Sequence, residues 1–361
     1  MKNSLSRNTA TLQPAWVWTV SKILRGHLKN LSVLGGMLLL PALLHADPLA
    51  DVAAFSSLTK VDKAKLEKGE IVSSPCPGMS KVSRGQGVES LFLVDVPLEK
   101  AFESLKEWNG SGHSELKVYL HGDLSASPTA AEFKKLASAP GNDSVHALAT
   151  ATEKLASGSF GEFQVNSSEV KDAPGKSSDK GLSPEAVTFW SGLLEKRVHS
   201  YLSGGLPAQP PYTNPGKVSA ADELAALLRT QPKIRDNFHS LLDMAGVSGK
   251  PSGKPSLYWE LFDGEGTGAI NLGASYFTPA NGGGRAMDLN YYSTGSYYVM
   301  TTLYQVWAWP GPKPRTLIYR ADLLSSAALG SLQGIEQKAA ARACEKEIAR
   351  LITYFQKDTA H

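Results

Sequence analysis

The chain has 361 residues, and 37 lysines and arginines against 34 aspartates and glutamates give it a formal net charge of +3. The first 46 residues contain five basic residues and no acidic residue, and without them the net charge is −2. The basic balance therefore does not indicate a protein that binds nucleic acid or acidic membranes.

The first 46 residues have the order of features found in a secretory signal peptide. Their basic residues are Lys2, Arg7, Lys22, Arg25 and Lys29. An apolar run over 31–44 follows, too short to cross a bilayer comfortably, and Ala46 then precedes a polar stretch. We expect an exported protein, periplasmic or secreted, whose mature part begins near Asp47. The alternative is an uncleaved N-terminal segment that anchors the protein in the membrane.

The remaining chain, about 315 residues, is long enough for one large domain or two smaller ones. Helical spacing covers 58–68, and residues 73–78 are rich in turn formers. Residues 87–96 are rich in branched and aromatic side chains, which predicts a strand. Pro97 ends this strand and suits the first turn of a helix, which we predict over 98–108.

The next part of the chain has weaker signals. Residues 115–120 have the composition of a strand. Residues 121–182 are poor in large apolar residues and are predicted to be a loose segment. Within it we expect a helix over 129–137 and a strand over 160–165.

Residues 183–250 have the pattern of a helical insertion. Ser183 and Pro184 form a typical helix start, and apolar residues follow at steps of three and four. Ser219 caps a second helical run, in which Pro232 predicts a break.

From Ser256 the apolar period changes from helical to alternating, which is typical of strands joined by short turns. The predicted strands are 257–262, 269–277, 286–292, 297–309 and 316–323. A long amphipathic helix over 332–356 follows. The fold class is therefore α+β, with an antiparallel sheet and a long C-terminal helix that covers one face of it.

This order of elements resembles the START-like, or polyketide-cyclase-like (SRPBCC), helix-grip superfamily. The likeness lies in the strand, proline and helix of 88–108, the aromatic-rich strand pair of 297–322 and the helix of 334–355. The resemblance implies one START-like domain over 47–361, in which a curved sheet wraps around the terminal helix. Residues 183–250 are not part of a minimal helix-grip fold.

In that superfamily the space between sheet and helix holds lipids, polyketides or other apolar molecules, and the resemblance suggests the residues that line it here. These are Trp259, Tyr276, Arg285, Tyr298, Met300, Tyr304 and Arg320. Strand alternation places Tyr298, Met300, Tyr304 and Val306 on one face. It places Tyr297, Val299, Leu303 and Trp307 on the other, and the sequence does not choose the inner face.

The two arginines in this set have acidic neighbours in the sequence. Asp288 is a candidate partner for Arg285, and Asp322 is a candidate partner for Arg320. An anionic group of a ligand is the alternative partner, because a buried cation needs an opposite charge.

The sequence contains no motif that identifies a catalytic or metal site. The glycine-rich stretch 263–273 has Ala274 where a calcium loop needs a bidentate carboxylate, so we predict a hairpin turn there. No nucleophile elbow or zinc-protease motif is present. We therefore predict no catalytic residue, metal or cofactor.

The chain has two cysteines, Cys76 and Cys344. In an oxidising compartment they could form a disulfide, and two separate buried thiols are the alternative.

These observations favour an exported protein that binds a lipid or other apolar small molecule and acts as a carrier. A cyclase-type enzyme is one alternative. An interaction protein that binds a partner through residues 183–250 is another. We expect no nucleic-acid partner, and membrane contact only transiently or through an uncleaved leader.

Overall fold

The structure, a computed structural model, describes residues 47–161, 163–175, 181–214, 216–280 and 282–360. The expected signal peptide, residues 1–46, lies outside the described residues. The strands are β1 Val72–Pro75, β2 Gly85–Val94, β3 Val118–Leu124, β4 Ser256–Gly264, β5 Thr267–Ala280, β6 Gly283–Ser293, β7 Val299–Trp309 and β8 Arg315–Ser325. The helices are α1 Pro48–Phe55, α2 Lys63–Glu67, α3 Leu98–Glu107, α4 Asp143–Leu155, α5 Pro184–Gly204, α6 Ala220–Thr230, α7 Pro232–Asn237, α8 His239–Met244 and α9 Ile335–Thr359.

The strands form one open, curved antiparallel sheet in the order β1-β2-β8-β7-β6-β5-β4-β3. Strands β4 to β8 are neighbours in both sequence and space, as the predicted meander requires. The turn between β4 and β5 contains Glu265 and Gly266, with φ values of 63° and 93°. Two positive φ values are typical of a tight hairpin turn, so the prediction for the glycine-rich stretch is confirmed.

Helices cover both faces of the sheet. Leu257, Trp259 and Leu261 of β4 point to a large apolar core shared with α5, α6 and their neighbours, which we call the insertion face. Phe262, with Met300 and Ile318 of other strands, belongs to a second core shared with α3 and α9, which we call the α9 face. Side chains alternate along each strand, so every strand contributes to both layers.

The helices of 183–250 are an integral layer of the fold. Trp190, Leu194 and Tyr201 of α5 are fully buried in the core of the insertion face, as are Leu224 of α6 and Phe238 at the start of α8. The break predicted at Pro232 is confirmed, because α6 ends at Thr230 and α7 begins at Pro232.

The N-terminal third differs most from the sequence predictions. The helix predicted over 58–68 is reduced to α2, and the stretch predicted as turns contains the edge strand β1, which pairs with β2. The segment predicted to be loose contains the 13-residue helix α4. Its many alanines and threonines supply few large apolar side chains, and packing on the sheet stabilises it.

The residues predicted as a strand over 160–165 form no strand among the described positions. Within the described residues, no helix combines the length and apolar composition needed to cross a bilayer.

Candidate functional site

Polar side chains form a continuous band across the middle of the α9 face. Ser275 of β5, Asp288 of β6, Thr302 of β7 and Asp322 of β8 are direct cross-strand neighbours. All four are at most 3% exposed. We call them the polar row. Two acidic side chains in a row at the centre of a sheet are unusual, because apolar side chains would avoid the cost of burying charge.

Asp288 is the centre of a buried hydrogen-bond network. The hydroxyl of Tyr258 donates to its two carboxylate oxygens at 3.0 and 2.9 Å, and Ser275 Oγ donates at 2.9 Å. Burial raises the pKa of Asp288 and the hydrogen bonds lower it, with a net value of about 7. The group therefore exchanges its proton near neutral pH.

A glycine allows Tyr258 to reach Asp288. Tyr258 is on β4, Asp288 is on β6, and Gly273 of the intervening strand lies directly opposite Tyr258. A Cβ atom at position 273 would lie 2.1 Å from Cζ of the tyrosine ring. The ring therefore crosses β5 through space that any other residue would fill.

A second acidic group adjoins the polar row towards β3. Glu260 is fully buried, and its carboxylate oxygens are 3.3 Å from Nδ1 of His121 and from Nδ2 of Asn271. Burial alone would lower the pKa of His121, but hydrogen bonds to Asp123 and Glu260 raise it to about 9. The Oδ1 atom of Asn271 is buried without a hydrogen-bond partner.

Arg320 closes the row at β8. Its guanidinium donates to both oxygens of Asp322, at 2.7 and 2.8 Å, and lies 5.5 Å from the ring centre of Tyr304. Asp322 also accepts a hydrogen bond from Thr302 at 2.8 Å. The prediction that Asp322 is the partner of Arg320 is confirmed.

A small cavity lies between this part of the sheet and helices α3 and α9. Its volume is about 10 Å³, which is room for about one water molecule. Its walls are formed by Phe92, Leu105, Trp108, Tyr304, Arg320, Leu351, Ile352 and Phe355. Arg320, Tyr304 and Trp108 are thus the residues of this otherwise apolar lining that carry polar groups.

Polar contacts at the surface hold the end of α9 against the segment after α3. Asp358 accepts hydrogen bonds from Nε1 of Trp108 at 2.6 Å and is 2.8 Å from Nε2 of His113. The His113 ring stacks on Tyr354 at 4.2 Å. We call Trp108, His113 and Asp358 the α9 clasp, because their contacts hold the end of α9 in place. Trp108 also forms part of the cavity wall.

The structure divides the predicted ligand-binding residues between the two faces. Met300, Tyr304 and Arg320 belong to the α9 face, and Tyr304 and Arg320 adjoin the cavity. Trp259 and Tyr276 are buried on the insertion face, where Tyr276 is 2.8 Å from the hydroxyl of Tyr201. These residues therefore do not line one common pocket.

Arg285 and Tyr298 also lie on the insertion face. Arg285 donates to Gln305 and Asn237, each at 3.1 Å. The prediction that Asp288 is the partner of Arg285 is wrong, because residues three apart in a strand point to opposite faces. Tyr298 contacts Arg84 and Tyr212.

The predicted alternation through 297–307 holds only within β7. Met300, Tyr304 and Val306 share the α9 face, as predicted. Tyr297 also lies on the α9 face and Tyr298 lies on the insertion face, which is the reverse of the prediction for these two residues. Both tyrosines precede β7 and follow Ser296, which has a φ of 70°. This turn reverses the parity that a continuous strand would have.

The two cysteines are buried free thiols, which is the second of the two alternatives. Burial raises the pKa of both thiols well above the usual range, so neither is a reactive thiolate. Within the described residues, no group of histidine, cysteine, aspartate and glutamate side chains could hold a metal ion.

Sequence reasoning missed Tyr258, Glu260, Asn271, Ser275 and Asn290, and it named Asp288 only as a candidate partner of Arg285. A signal was present, since polar residues recur at a spacing of two inside predicted strands, as in Tyr258 and Glu260 or Asp288 and Asn290. Such spacing also describes a solvated sheet face. Only the tertiary structure shows that the band is buried.

Neither protein-family models, nor curated proteins, nor solved structures yield a match to this chain.

Proposed function

We propose that the protein binds a small, mainly apolar molecule with one hydrogen-bonding end, such as a lipid, between the sheet and helices α3 and α9. The observation that carries the proposal is the buried polar row beside a cavity with apolar walls. Ionisable groups that are buried and strongly perturbed cluster at functional sites. The unpartnered Oδ1 of Asn271 and Oγ of Ser90 on the same face add unused hydrogen-bonding capacity.

The layout of the chain supports the same location. A curved antiparallel sheet with a long C-terminal helix is compatible with the helix-grip fold, in which ligands lie between these two parts. In this proposal Arg320 and Tyr304 bind the polar end of the molecule, and Phe92 and Phe355 contact its apolar part. Export of the protein and a role as a carrier belong to the proposal as well.

Binding requires the two helices to move apart, because the closed cavity holds about one water molecule. The α9 clasp is the contact that must open, and Asp358 is 39% exposed, so water can replace its hydrogen bonds. Entry therefore needs a displacement at the end of α9 and leaves the insertion face intact.

A cyclase-type enzyme is the second candidate, and Asp288 is the observation that favours it. A carboxyl group with a pKa of about 7, hydrogen-bonded to Tyr258, can give or take a proton near neutral pH. The helices of 183–250 bury their large apolar side chains in the core, which leaves them unavailable to a partner and gives the interaction-protein alternative less support.

The test is native mass spectrometry and organic extraction of the protein purified from the cells that produce it. We expect a co-purifying apolar molecule, whose retention falls about tenfold in Tyr304→Phe because one hydrogen bond is lost. Tyr119→Phe is the matched control, since Tyr119 donates to Ser144 away from the cavity. An empty wild-type protein that also fails to bind added fatty acid or phospholipid would refute the proposal.

A further inference from the structure

A second, larger concavity shares no lining residue with the cavity under α9. This groove runs between α4, the β4–β5 turn and the loop that joins β6 to β7, and its volume is about 820 Å³. That is within the usual range for small-molecule sites. We call it the α4 groove.

Two buried side-chain oxygens at the α4 groove have no hydrogen-bond partner. They are Oε1 of Gln164 and Oγ of Ser296, and both residues line the groove. Gln164 is only 3% exposed, and its backbone N–H donates to the carbonyl of Thr294 at 2.8 Å. Buried polar atoms are nearly always paired, so these two oxygens indicate a partner that the protein does not supply.

The backbone around the groove is held in conformations that side chains rarely adopt. Glu265 and Ser296 have φ values of 63° and 70°, and both line the groove. Gly264 packs so closely that a Cβ there would lie 2.5 Å from Oγ of Ser296. The φ of Glu265 is that of the β4–β5 hairpin turn, and Ser296 lies in the turn before β7, so these values show that two tight turns form this rim of the groove.

The composition of the groove indicates the chemistry of its ligand. Among its described lining residues, Lys154 and Glu265 are the charged ones, and their charges are opposite in sign. The half-buried ring of Phe160 offers a flat apolar surface beside the amide side chains of Gln164 and Asn214. Unpartnered oxygens require hydrogen-bond donors, and hydroxyl groups are neutral donors.

We propose that the α4 groove is a second binding site, which takes a neutral, hydroxyl-rich molecule of the sugar class. Both oxygens are closed off from solvent in the observed conformation. Ring hydroxyls therefore donate to Gln164 and Ser296 after these side chains rotate towards the groove, and the apolar face of the sugar ring stacks on Phe160. The groove is independent of the cavity under α9, so this site does not depend on the proposed function.

The test is ligand-observed NMR of the whole protein with glucose, galactose, N-acetylglucosamine, maltose and cellobiose. At least one of these neutral sugars is expected to bind. Thr150→Trp fills the groove from an exposed position on α4 and should weaken that binding at least about tenfold. Ala137→Trp is the matched control, because residue 137 is exposed on the short 3₁₀ helix Ala130–Ser138 and does not line the groove.

Gln164→Leu provides an independent check, with an expected loss of about tenfold because one hydrogen bond is removed. Near-wild-type thermal unfolding of each variant shows that it has folded. The proposal is overturned if none of these sugars binds, or if a sugar binds wild type and Thr150→Trp equally.

Discussion

The two faces of the sheet are built from the same strands, yet they differ in chemistry. The insertion face is mainly apolar, and Leu261, Leu289 and Leu303 share its core with Leu194 and Phe238. Its buried charges, such as Glu89 and Arg197, are scattered and do not form a row across the strands. The α9 face has apolar residues at its margins and the polar row at its centre. The difference indicates that one face supplies stability and that the other accepts a cost in stability for a site.

The largest effect should come from Arg320→Met. It leaves Asp322 buried without its cation, so the free energy of unfolding should fall by about 3–5 kcal/mol. The double variant Arg320→Met, Asp322→Leu should recover most of this loss, because replacing both partners with apolar groups avoids their desolvation. Urea denaturation of the three proteins measures both values. If the double variant were no more stable than Arg320→Met, the loss in the single variant would not come from leaving Asp322 buried without its cation.

The second prediction concerns pH. Asp288 has a pKa of about 7 in the folded protein, raised by burial from a usual value of 3.8. The folded protein keeps this proton between about pH 4 and 7 while the unfolded chain loses it. Stability should therefore fall as pH rises through this window, by at most about 4 kcal/mol.

Asp288→Asn cannot lose that proton, so the fall in stability over this range should be much smaller in the variant. Thermal unfolding between pH 4 and 8 provides the comparison. Exposed Asp172→Asn serves as the control and should behave like wild type. Identical slopes in wild type and Asp288→Asn would assign the titration to another group.

Leu194→Ala tests the insertion face. Leu194 is fully buried on α5, and its truncation should cost about 3 kcal/mol, the middle of the range for such cavities. Ligand retention should remain unchanged, since the cavity under α9 is in the other layer. Lys196→Ala, on an exposed position of the same helix, should change the free energy of unfolding little. Loss of ligand from a stably folded Leu194→Ala protein would disprove the separation of the two faces.

The smallest effect should come from Asp358→Ala, which removes the α9 clasp. Its bonds to Trp108 and His113 are at an exposed site, so we expect a loss of about 1 kcal/mol. Amide hydrogen exchange should accelerate in the last turns of α9, and the proposed ligand should enter faster. Lys346→Ala, at an exposed position of the same helix, is the control. Unchanged exchange in Asp358→Ala would show that the clasp does not hold the helix.

Sequence patterns predicted the elements whose side chains carry a clear period. The five strands from β4 to β8, the helices α3, α5 and α9 and the break at Pro232 are close to their predicted positions. Helix α4 and strand β1 were missed, because alanine-rich and serine-rich segments have little periodicity of their own. Their conformations are stabilised by neighbours that are distant in the chain.

By itself, the sequence determined the α+β class and the meander, because each depends on residues close together in the chain. It offered Asp322 as one candidate partner of Arg320, beside an anionic group of a ligand, and the structure shows that pair. Only the tertiary structure decided which face is covered by which helices. It also decided that Glu260, Asp288 and Asp322 are buried together, and that Arg285 lies away from them. The physical reason is that alternation along a strand separates two faces but does not identify them, whereas burial depends on the helices that pack over each face.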